Sequence, residues 1–68
     1  MVLKEYRVNL GWDWTELARQ AGLQAQVVRR AERGGRVKAA TAKRLADTFS
    51  RAYGKEIRPT DIEGLVIL

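Results

Sequence analysis

The 68-residue chain contains no cysteine, no histidine and a single proline. Without cysteine there are no disulfides, and without either residue the usual sulfur and nitrogen ligands of zinc are missing. Cysteine and histidine nucleophiles and bases are excluded too, and the carboxylates are scattered instead of grouped for acid–base work. No enzymatic activity, no metal and no cofactor are expected. Long apolar runs are also lacking: the longest is Leu65-Val66-Ile67-Leu68, far short of the roughly 20 residues that span a bilayer. At the start, Lys4 and Glu5 arrive too early for the apolar stretch of a signal peptide. A soluble, intracellular protein with no membrane partner is expected.

What is present argues for folding. Hydrophobic residues make up 46% and charged residues 31%, a balance that disordered chains do not have. The length allows one small domain, with a core so limited that such chains often lean on a partner subunit.

The net charge of +5 is unevenly spread. Residues 19–44 hold Arg19, Arg29, Arg30, Arg33, Arg36, Lys38, Lys43 and Arg44 against Glu32 alone, a net +7, while the blocks on either side each sum to −1. Most charge runs are solvated helix faces. Ordinary surfaces mix signs, however, and a block this one-sided points to a polyanionic partner.

The apolar spacing predicts helices. Val2, Leu3, Tyr6 and Leu10 mark a first, closed by Gly11. Asp13 and Glu16 form a capping-box pattern, so a second helix begins at Trp14, buries Leu17, Ala18 and Ala21, and stops at Gly22. A third runs from Ala25 to Arg33 with Val28 and Ala31 inward, ended by Gly34-Gly35. After a loop through Lys38, a fourth covers Ala39 to Tyr53, with Ala42, Leu45, Ala46, Phe49 and Tyr53 on its apolar side. The fold class is all-α, a small domain of four to five helices. Residues 1–54 form the main domain and 55–68 an apolar tail, read either as a short strand or as a final helix. Two short helices joined by a tight turn, the second cationic outside, are the elements of a helix-turn-helix. A plain bundle of short helices has the same periodicity.

The residues that decide more are Arg7, Gly11-Trp12, Glu16-Leu17-Ala18 with Ala21-Gly22-Leu23, Val28 with Ala31-Glu32-Arg33-Gly34, and Thr41 to Ala46. In this unbroken register, from about Leu3 to Phe49, the chain resembles the Cro/CI-type (XRE) helix-turn-helix DNA-binding family, typified by phage repressors. The resemblance implies that Arg7 and Glu32 form a structural ion pair between the first helix and the end of the recognition helix. It places Gln24, Ala25, Gln26 and Arg30 at positions that read base edges. Gln suits adenine, Arg suits guanine, and a small apolar group suits a thymine methyl. Val27 is open between a methyl contact and packing. Trp14 matches a phosphate-facing position, where its indole N–H either donates to phosphate or simply packs at the surface. Arg19, Arg29, Arg33, Arg36, Lys38 and Lys43 are candidates for backbone contacts, about half of them touching phosphate at once. Arg44 is assigned to solvent.

Three departures stand out. Gln24 replaces the Ser or Thr that commonly caps the recognition helix, Ala25 offers no hydrogen bond for readout, and the start leaves no N-terminal arm for DNA. Ile62, Leu65, Val66, Ile67 and Leu68 make the tail strongly apolar. It serves either as packing for the domain or as a dimer interface, and a homodimer matches the two half-sites such proteins read. The expected function is a sequence-specific DNA-binding transcriptional regulator, a repressor, acting on double-stranded DNA. Its place would be cytoplasmic, at the nucleoid of a prokaryote, or phage-encoded. The alternative is a protein-interaction module with its own protein partner, such as the antitoxin half of a toxin–antitoxin pair. Non-specific packaging of nucleic acid is a third reading.

Overall fold

A computed structural model describes all residues 1–68. Helix α1 spans Leu3–Asn9 and starts where the Glu5 carboxylate accepts the Val2 N–H (2.9 Å). Helix α2, Trp14–Ala21, is capped by Asp13, whose Oδ1 accepts the Glu16 N–H at 2.8 Å. The turn that follows needs a left-handed residue, and Gly22 supplies it at φ +70°. Helix α3 covers Ala25–Glu32, and Gln24 at its start makes no side-chain capping bond. Helix α4 is the longest, Ala39–Tyr53.

The helices close around one core. Leu17, Val28, Leu45 and Phe49 are its largest fully buried side chains, each stabilising the fold by about 1.5–3 kcal/mol through burial. Ala18, Ala21 and Ala31 fill the space around them. Small side chains let α2 and α3 pack closely, which holds the helix-turn-helix as one unit. Beside this apolar centre, Tyr6 stacks on Phe49 with ring centroids 5.0 Å apart, and the Tyr53 hydroxyl donates to the Tyr6 carbonyl at 2.8 Å.

The tail resolves the choice between helix and strand. Pro59–Asp61 makes a single 3-10 turn, and Val66–Ile67 forms strand β2, parallel to strand β1 at Arg36–Val37. Arg36 pairs with Val66 and Val37 with Ile67, and the Leu68 N–H adds a bond to the Val37 carbonyl (2.8 Å). Val2 forms a further bridge with Glu63. The tail thus ties the loop after α3 to the start of α1. It is also built into the core, because Ile57 and Ile62 are buried there and the Ser50 hydroxyl accepts the Ile57 N–H at 2.8 Å. The fold is all-α, with only this two-stranded patch of sheet.

Candidate nucleic-acid interface

Helix α3 has two unlike sides. Val28 and Ala31 are buried, with Ala25 and Val27 half-buried beside them. Gln26, Arg30 and Arg33 are exposed, and their spacing of four and three residues sets them on one outward face. Gln24 is exposed at the start of the helix, while Ala25 packs against the core.

The inner end of α3 is held by charge. Arg7 donates from Nε and Nη2 to both Glu32 carboxylate oxygens, at 2.9 and 2.8 Å, and from Nη1 to the Trp12 carbonyl at 2.9 Å. The two side chains are 10% and 11% exposed. The hydrogen bonding to Glu32 raises the already high pKa of Arg7, against the opposing pull of burial. The pair joins α1 to the last turn of α3.

Trp14 belongs to this cluster. Its indole N–H donates to Glu32 Oε2 at 3.2 Å, and its ring lies 5.5 Å from the Arg7 guanidinium and 4.7 Å from that of Arg29. Of the two roles open to Trp14, donation to phosphate or packing at the surface, the free chain shows the second, with the indole N–H turned to a carboxylate of its own chain. Trp14 acts as a platform on which Arg29 stacks, a cation–π contact. Val2, Lys4, Trp14, Arg29, Glu32 and Arg33 line a surface depression of about 370 Å³.

The remaining cations divide into two groups. Arg19 is hydrogen-bonded to Glu16, and Lys43 to Asp47 at 2.8 Å, so neighbouring carboxylates offset both. The other ion pairs join the Met1 ammonium to Glu63 and Arg58 to Glu56. Arg29, Arg30, Arg33, Arg36 and Lys38 are exposed and have no carboxylate partner. Arg44 reaches the end of α2, with Nη1 lying 3.1 Å from where a Cβ at Gly22 would sit.

Of the tail residues assigned to a dimer interface, Ile62 is 3% exposed in its own chain. It packs in the core, the other role open to the tail. Leu65 is half-buried, while Val66, Ile67 and Leu68 remain exposed. Sequence reasoning missed Val37, buried at 3% in what looked like a plain loop. Its only signal was an apolar residue between Arg36 and Lys38.

Two short packed helices, a tight glycine turn and an uncompensated cationic face on the second helix define a helix-turn-helix domain. A family model described as helix-turn-helix matches residues 3–55. The chain belongs to that family, the XRE type with Cro/CI-like members, and is a DNA-binding transcriptional regulator of the XRE type. Neither a curated protein nor a solved structure matches the chain. No helix is long and apolar enough to cross a membrane.

Proposed function

We propose that this chain is a sequence-specific transcriptional repressor that binds double-stranded DNA as a homodimer, with α3 in the major groove. The observation that carries the reading is the outward face of α3, where Gln26 and Arg30 are exposed on a helix whose opposite side is locked by Val28 and Ala31. Gln26 and Arg30 read base edges, with Gln24 and the Ala25 methyl at the same end. Arg29, Arg33, Arg36 and Lys38 contact phosphates, which orient the domain without specifying sequence. Arg19 and Lys43 join them only by giving up their carboxylate partners.

Dimensions support the homodimer. The chain measures 27 Å along its longest axis, whereas successive half-sites lie about 34–36 Å apart. One copy therefore serves one half-site. The exposed Val66, Ile67 and Leu68 offer apolar surface for a second copy.

Selection of bound sequences from a random DNA pool at moderate salt tests the reading. A recovered pseudo-palindrome supports it, and a pool that stays random overturns it in favour of non-specific binding. Sedimentation adds a separate test of the dimer: a monomer at tens of micromolar, with and without DNA, removes that part.

A further inference from the structure

The helices of this chain end in a common way. Each runs into a glycine in the left-handed region, and the next residue's N–H reaches back five residues to a carbonyl in the last turn. The closures are Trp12 to Arg7 (3.2 Å), Leu23 to Ala18 (2.8 Å), Gly35 to Arg30 (2.9 Å) and Lys55 to Ser50 (3.3 Å). This geometry sets the residue after the glycine against the side chain one turn back in the helix. For α1 and α2 that residue is apolar, Trp12 or Leu23, and packs against the core.

Helix α3 departs from this pattern because its closing residue is itself a glycine. Gly35 is not in the left-handed region, so its backbone does not call for glycine. The need comes from a neighbour. A Cβ at position 35 would stand 2.5 Å from Arg30 Cγ and 3.0 Å from the Arg30 carbonyl oxygen, well inside the roughly 3.5–4.0 Å at which carbons touch. The stem of Arg30 fills the space that a side chain at position 35 would take.

We propose that Gly35 is a specificity-determining position of the DNA interface, because its missing side chain gives the Arg30 stem a seat and so fixes where the guanidinium leaves the helix. The proposal rests on the reading of Arg30 as a base-contacting residue. A bidentate contact with a guanine edge needs the planar guanidinium aligned with that edge. An arginine displaced from its seat keeps its charge and its attraction for phosphate but loses that alignment. Gly35 thus acts through Arg30 and touches no base.

Selection of bound sequences, run with the full chain and with Gly35→Ala, Arg30→Ala and the double variant, tests this. Gly35→Ala is expected to relax preference at the same base pair as Arg30→Ala, by about tenfold. The double variant should be no worse there than Arg30→Ala alone, and the salt dependence of Gly35→Ala should stay that of the parent. A Gly35→Ala profile that keeps full preference where Arg30→Ala loses it overturns the proposal and leaves the reading of Arg30 standing. An Arg30→Ala profile with no relaxed position overturns that reading, and the inference falls with it. Thermal melting gives a readout independent of DNA. The drop caused by Gly35→Ala should shrink in the Arg30→Ala background, where Cγ is gone, and an undiminished drop overturns the steric argument.

Discussion

Arg7–Glu32 and Arg19–Glu16 are the same chemical pair put to opposite uses. The first joins α1 to the end of α3 across 25 residues, with side chains 10% and 11% exposed. The second lies within one turn of α2, with side chains 69% and 34% exposed. A charge out of water cannot recover its hydration when its partner is removed, whereas a charge in water loses almost nothing. The buried pair therefore fixes the position of α3. The exposed pair changes how much positive charge the surface presents.

Glu32→Ala should have the largest effect. It leaves the Arg7 guanidinium buried without its carboxylate and removes the acceptor of the Trp14 N–H. Breaking a buried pair in this way costs about 3–5 kcal/mol, a large part of the roughly 5–15 kcal/mol that stabilises a whole domain. Urea denaturation measures it. A loss below about 1 kcal/mol would put Arg7–Glu32 in the class of surface pairs and erase the contrast.

Asp13→Ala comes next, with an expected loss of about 1 kcal/mol in the same measurement. The contact is as local as Arg19–Glu16 but satisfies a backbone N–H at the start of α2, which has no intrahelical acceptor. Locality alone does not make a contact weak. Trp14→Phe is expected to cost about 0.5–1.5 kcal/mol for the lost hydrogen bond to Glu32, while keeping a ring under Arg29. Since that N–H is already engaged within the chain, DNA affinity at fixed salt should not change. Weaker binding by folded Trp14→Phe would restore the indole as a phosphate donor.

The same division between local and distant explains what could be read in advance. Asp13, Gly22, Gly34 and Gly54 announce helix ends through chemistry confined to a few residues, and the observed boundaries of α2, α3 and α4 follow them closely. Val37 and Val66–Ile67 gave no such signal, because two-residue strands owe their existence to a pairing across 30 residues. Likewise, the apolar character of Ile62 was plain, but its burial depends on where the 3-10 turn at Pro59 delivers it. In the candidate interface, exposure of Gln26, Arg30 and Arg33 follows from helical period. The engagement of the Trp14 N–H by Glu32 depends on two helices meeting, and the seat of Arg30 on Gly35 depends on how α3 ends.

Glu16→Gln should have the smallest effect on stability and is informative for that reason. Hydrogen bonds from Arg19 first, and then Gln20, hold the Glu16 carboxyl below its ordinary pKa. A folded-state value below the unfolded one adds stability above the unfolded pKa, which is lost as pH falls through the folded value. Both side chains lie in solvent, so the melting midpoints of parent and Glu16→Gln should nearly coincide at neutral pH and converge fully in acid. A neutral-pH gap as large as that of Asp13→Ala would mean that exposure does not separate the two arginine pairs. DNA binding should respond in the other direction. With Glu16 neutral, Arg19 loses its ionic partner and is released toward phosphate. Binding should therefore tighten at low salt, with the slope of log affinity against log salt steeper by about 0.9 for one added phosphate contact. An unchanged slope would place Arg19 away from the DNA and confine the backbone contacts to Arg29, Arg33, Arg36 and Lys38.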